Sequence, residues 1–117
     1  GRCSLLFTGD IEKRAEAELL PEIQERVSVL KVAHHGSKTS STVAFLKRTK
    51  PRLGIISVGR HNLYRHPAPS VVERLKDFRM QVLRTDFHGH VKLTITQKGE
   101  VICADKFGSC GRFKCPY

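Results

Sequence analysis

The sequence has no apolar stretch approaching the roughly 20 residues that a membrane-spanning helix needs. Leu5–Phe7, near its start, is far too short for the apolar core of a secretory signal. The expectation is a chain that is soluble as it stands. A phosphate-cradling P-loop and a dinucleotide fingerprint are both missing, as is a Ser-His-Asp set with nucleophile-elbow spacing. These absences argue against the common nucleotide-binding folds and the serine hydrolases. No internal repeat and no low-complexity tract interrupts the chain. Acidic residues are scarce: 11 Asp and Glu stand against 21 Lys and Arg, for a formal net charge of +10. Such a surface attracts polyanions such as nucleic acid, anionic lipid or phosphorylated substrates.

What is present suits a globular domain or a piece of one. The chain has 117 residues, 39% of them hydrophobic and 27% charged. The basic residues recur along the chain rather than in one tail, which fits a charged folded surface. The chain opens on a strand-like segment without a start methionine, so it is expected to be an excised piece of a longer protein. Four cysteines, Cys3, Cys103, Cys110 and Cys115, lack the C-x-x-C spacing of a zinc ribbon. They allow three disulfide connectivities, and an exported domain could use one. Free thiols fit the sequence equally well.

Hydrophobic patterning predicts alternating elements. Ser4–Thr8 reads as a short strand, and Ile11–Leu20 as a helix limited by Pro21. Val27–Ala33 is β-branched and apolar, hence a buried strand. Ser40 or Ser41 can cap a following helix that Pro51 ends. Leu53–Val58 is another strand, and Pro69 suits the start of a helix with Val71, Val72, Leu75 and Phe78 on its apolar side. Gln81–Thr85, then Val91–Thr96 and Glu100–Ala104 around Lys98–Gly99, complete the order β-α-β-α-β-α-β-β-β. This is an α/β layered fold with a mixed sheet carrying packed helices. Residues 106–117 carry little periodic signal and read as a loosely ordered, cysteine-containing tail to a domain spanning 1–105.

Three clusters follow predicted strands, where α/β folds gather functional groups. In Phe7-Thr8-Gly9-Asp10 a carboxylate is thrust out at a strand end, where it could bind or bridge metal ions. Taken alone, Asp10 is better read as a helix cap. In His34-His35-Gly36-Ser37 two imidazoles are adjacent, and in an extended segment they would point to opposite sides. One could then bind a metal while the other supports it or meets substrate, unless both are ordinary loop residues. The third cluster, Gly59–Pro67, offers His61, Asn62, Tyr64 and His66, which could donate hydrogen bonds to a phosphate or a proton to a leaving group. A plain surface turn fits it as well. His88 and His90 flank Gly89, where a polar turn is the simpler reading than a chelate.

Together the segments TGDIEKRAEAELL, LKVAHHGSKTSS, IISVGRHNLYRHP and VLRTDFHGHVKLT resemble the C-terminal part of the metallo-β-lactamase-like domain of ComEC-type competence proteins. The resemblance runs from Leu5 to about Ile95. It implies the C-terminal half of an αββα sandwich and a dinuclear zinc or manganese site in the complete domain. By the same resemblance Asp10 and His35 match metal ligands, with His34 the alternative. His66 and His34 take catalytic, substrate-facing places. Ser37, Lys38, Arg60, Asn62, Tyr64 and Arg65 would bind substrate. The H-x-H-x-D-H motif that supplies most ligands in that superfamily is not found in these residues, so the segment is expected to be inactive alone. Arg65 stands where the family often has glycine before His-Pro.

The implied activity is hydrolysis of DNA phosphodiesters during DNA uptake. The implied partners are DNA, the N-terminal half of the same domain and the membrane channel portion of the parent. The implied setting is the periplasmic or extracellular side of a bacterial inner-membrane protein. Half a sandwich would expose a sheet face, which predicts dimerisation of the isolated chain. The competing readings are a non-catalytic basic module that holds nucleic acid, and a phosphodiesterase or esterase of the same fold with another substrate.

Overall fold

The structure, a computed structural model, describes residues 2–115. Four strands, β1 (Leu5–Phe7), β2 (Val29–Lys31), β3 (Leu53–Ile56) and β4 (Gln81–Arg84), form one all-parallel sheet in the order β1-β2-β3-β4. Sequential order means that each crossover moves one strand along in the same direction. Right-handed connections then put every crossover helix on one face. The helices are α1 (Lys13–Leu19), α2 (Val43–Thr49) and α3 (Pro69–Asp77). Residues from this layer, including Phe45, Leu46, Val71 and Leu75, pack with Leu30, Val32 and Ile56 of the sheet.

The other face is covered too. Strands β5 (Lys92–Ile95), β6 (Glu100–Asp105) and β7 (Gly108–Lys114) make a separate antiparallel sheet. Its Val101 and Cys103, with Cys115, pack on Val29, Leu53 and Leu83. Strand residues of alternate parity therefore feed two different cores, which is why β3 reads as a continuous apolar run. The expected single mixed sheet is replaced by two sheets, one parallel and one antiparallel. The break falls at α4 (Thr85–His88) and Gly89 at φ 72°, which carry the chain out of the parallel sheet after β4. The expectation of dimerisation through a bare sheet face loses its ground, because that face is already packed.

Residues 108–114, read from sequence as loosely ordered, are the third strand of the antiparallel sheet. Disulfides Cys3–Cys115 and Cys103–Cys110 fasten it, the first joining segments 112 residues apart. Gly108 and Gly111 lie at positive φ, so the strand lacks the β-branched pattern that marks a strand in sequence. The capping expectation also shifts by a residue or two. Thr42, not Ser40 or Ser41, caps α2 by accepting from the Phe45 amide at 3.2 Å. The Ser41 and Thr42 amides are instead taken by the carboxylate of Glu16, a fully buried residue of α1. Among the described residues no helix is long and apolar enough to cross a membrane.

Candidate functional site

All four parallel strands release the chain at the same edge, and the loops that follow them meet there. After β1 comes Thr8-Gly9-Asp10, and after β2 the turn Ala33–Gly36. Main-chain bonds tie these two segments together: the His34 amide donates to Gly9 O at 2.8 Å, and the Lys13 amide to Thr39 O at 3.0 Å. After β3 comes the loop 57–68, anchored at Val58, whose amide donates to Thr85 Oγ1 at 2.8 Å.

The His-His segment is not extended. His34 (φ 51°, ψ 43°), His35 (φ 55°, ψ 25°) and Gly36 (φ 83°) all lie at positive φ. This overturns the expectation that the two rings face opposite sides. Consecutive left-handed residues curl the chain, and both imidazoles line one cavity. Left-handed backbone is unfavourable for residues with a Cβ, and such strain gathers at functional sites.

That cavity, about 440 Å³, is lined by Asp10, Glu12, His34, His35, Ser37, Thr39, Tyr64 and His66. A second cavity of about 270 Å³ shares His35, Tyr64 and His66 with the first, and adds Val58, Gly59, Asn62 and Leu63. The two hollows thus share three aromatic rings. The His34 and His66 ring centroids are 5.8 Å apart, and Tyr64 stacks on His66 at 5.8 Å.

Asp10 is exposed and does not cap α1. The cap position is Glu12, without a side-chain bond, so the helix-cap reading of Asp10 fails. The charge of Asp10 is felt by Lys31, whose pKa burial lowers and Asp10 partly restores. His35 Nδ1 lies 2.7 Å from Ser57 O, which orients the ring and leaves Nε2 for another partner. A ring nitrogen held by a backbone carbonyl is the usual second-layer support of a metal-binding histidine. His34 Nδ1 is buried without a hydrogen bond; its nearest acid, Glu12 Oε1, is 3.7 Å away and too far for one. Burial first, then His34 and His35, lowers the His66 pKa. At neutral pH this favours the uncharged ring, which accepts a hydrogen bond or binds a cation.

Ser37 is buried and shares a 2.9 Å hydrogen bond with Thr39. Asn62 braces its own loop: Oδ1 accepts from the His66 amide at 2.6 Å, while Nδ2 donates to Gly59 O and His66 O. Lys38, Arg60 and Arg65 are exposed and lie outside both linings. Arg60 Nε donates to Asp86 O at 3.3 Å. Arg65 sits at φ 53°, a conformation glycine adopts freely. His88 Nδ1 takes the Arg84 amide at 2.9 Å and so serves the short helix α4.

Glu12, Thr39, Leu63 and Lys31 join the site without having been singled out from sequence. Glu12 falls within the segment Ile11–Leu20 read as a helix, and Leu63 within the loop Gly59–Pro67; no spacing marks either one. Among the described residues no group of three or more His, Cys, Asp or Glu is arranged to hold a metal ion. The donors suit a cation in kind, but no three of them are placed to hold one together.

No family model matches the chain. No solved structure matches it. It is 41% identical over 95 residues to ComE operon protein 3 of Bacillus subtilis, covering 79% of this chain and 12% of that protein. It is 38% identical over 97 residues to Recombination protein 2 of Haemophilus influenzae, covering 83% of this chain and 12% of that protein. Competence protein ComA of Neisseria gonorrhoeae is 34% identical over 101 residues, covering 85% of this chain and 15% of that protein. The chain is thus related to one segment of these proteins, two of them named for competence, and it spans only 12% to 15% of their length.

Proposed function

We propose that the chain is part of a metal-dependent hydrolase domain that cleaves DNA phosphodiesters during DNA uptake, within a longer membrane-associated protein. The observation that carries this reading is the shared lining. Asp10, His34, His35 and His66 come from three separate loops and open onto one cavity at the strand ends. The names of the relatives support a place in competence and natural transformation. One helical layer on two sheets is compatible with part of a metallo-β-lactamase sandwich.

Asp10 and His35 would hold a zinc or manganese cation, with His34 the alternative ligand through its buried, unpartnered Nδ1. Such a cation supplies Lewis-acid activation of water and of the phosphoryl oxygen. The remaining ligands would come from outside this segment. β1 lies at the end of the parallel sheet, and Phe7 on it is 75% exposed. That edge suits pairing with the rest of the domain. Tyr64 and Leu63, at the tip of their loop, would meet the substrate beside the cavity, and Ser37 and Thr39 would offer hydroxyls to a phosphate. The disulfides fit an oxidising compartment, which supports the extracytoplasmic side of the membrane.

The test is cleavage of an end-labelled DNA oligonucleotide by a protein extended upstream of Gly1, with manganese or zinc added. Asp10→Ala should abolish cleavage without altering the circular dichroism spectrum. Undiminished cleavage by that variant would remove Asp10 from the mechanism.

A further inference from the structure

The opposite edge of the parallel sheet carries a second feature, which does not depend on the hydrolase reading. Where the chain enters β2, β3 and β4, a cavity of about 770 Å³ is lined by Arg26, Lys47, Lys50, Pro51, Arg52, Phe78 and Arg79. Five of these seven residues are cationic, and neither Asp nor Glu is among them. The five come from three stretches of sequence, at 26, 47–52 and 79, which the fold brings together on one side.

A plain structural explanation covers only part of this charge. Helices α2 and α3 end at this edge, and each helix C-terminus carries about half a negative charge that favours nearby cations. Two such ends offset about one positive charge, and the exposed Lys47 and Arg79 alone supply two. Arg26, Lys50 and Arg52 also hold contacts within the fold, and the Arg52 guanidinium lies 5.3 Å from the Phe113 ring centroid. Those contacts fix where the charges sit. Lys47 and Arg79 are exposed on the rim.

We infer that this groove binds the phosphodiester backbone of a single nucleic-acid strand, at the edge of the sheet away from the Asp10–His66 cavity. Its size suits a nucleotide or two, and Phe78 and Pro51 offer apolar surface to the sugar or unstacked base of a single strand. An anionic membrane surface fits less well. The large exposed apolar residues, Phe7, Val43, Leu63, Tyr64, Phe87, Ile95 and Phe107, are not among the groove residues, so nothing there would insert.

Fluorescence anisotropy of labelled oligothymidylate, in EDTA over a series of salt concentrations, tests this on the chain itself. The double variant Lys47→Glu/Arg79→Glu should bind at least tenfold more weakly. Its log-log salt slope should be shallower by about 1.4, at about 0.7 for each phosphate no longer neutralised. Arg14→Glu/Lys98→Glu makes the same change in formal charge away from the groove, and it should weaken binding far less. Melting curves confirm that each variant folds. Equal weakening by the two double variants would overturn the inference in favour of net charge alone. So would unchanged oligonucleotide binding by the groove variant, or loss only of its binding to phosphatidylglycerol vesicles.

Discussion

Gly36 lies against Pro67 so closely that a Cβ built on Gly36 would stand 2.6 Å from Pro67 Cβ. The Ala68 amide closes the same contact by donating to Gly36 O at 2.9 Å. The turn that carries His34 and His35 is thereby locked to the loop that carries His66, and the relative placement of the three rings depends on a missing side chain.

Gly36→Ala should therefore be severe. A methyl at φ 83° costs about 1–2 kcal/mol for the left-handed backbone, and the overlap with Pro67 adds about 1–3 kcal/mol. Gly9→Ala is the comparison, since Gly9 also has positive φ (55°) but open space around it. Urea denaturation should show Gly36→Ala as the more destabilised by at least about 1 kcal/mol. Equal losses would mean that the Pro67 contact yields easily.

Glu16 is expected to be the most sensitive acidic residue. Its buried carboxylate takes the Ser41 and Thr42 amides at the start of α2, and Ala would leave both without partners. The expected loss is about 3 kcal/mol. Glu16→Gln keeps one acceptor oxygen and should lose less. A denaturation midpoint unchanged in Glu16→Ala would refute this role.

Arg84 grips Asp86 through two bonds, of 3.0 and 2.7 Å. The hydrogen bond from Arg84, more than its charge, lowers the Asp86 pKa. A lowered carboxylate takes up its proton later in the folded than in the unfolded chain. The pair's contribution is therefore full above the unfolded value of about 3.9 and is lost as pH falls through the folded value. With Arg84 37% exposed, the contribution should stay near about 0.5–1 kcal/mol. Asp86→Asn should be less stable than the wild type at pH 7 and should lose less on acidification. Parallel pH profiles for the two proteins would contradict this.

The two disulfides should differ in weight. Cys3–Cys115 closes 112 residues and Cys103–Cys110 only 7, and loop-closure entropy grows with the length closed. Cys3→Ser/Cys115→Ser should lower the melting temperature more than Cys103→Ser/Cys110→Ser, measured by calorimetry without reductant. The reverse order would show that packing around β7 matters more than chain entropy.

Much of this fold can be read from patterning, because parallel strands buried on both faces show as uninterrupted runs such as Leu53–Ile56. Pro69 and Pro21 mark real boundaries for the reason given by their fixed φ and missing N–H. What patterning misses is non-local. The split into two sheets depends on the chain direction after His88, and β7 is held by cysteines and pairing rather than by propensity. At the site, the three clusters are visible as unusual residue types at strand ends. The left-handed turn at His34 and His35 is not, since neither residue favours it; only Gly36 hints at a bend. Glu12 and Glu16 are both polar helix residues by sequence, and their partners lie on other segments.

If Asp10 and His35 serve one cation whose other ligands lie outside these residues, both must be needed to retain it. Metal stoichiometry by plasma mass spectrometry reads this out, on the upstream-extended protein and its Asp10→Asn and His35→Gln variants. The unsubstituted protein should carry bound zinc or manganese, and both variants should show a clear loss of it with their folds intact. Full metal content in either variant, or none in the unsubstituted protein, would contradict a shared cation site.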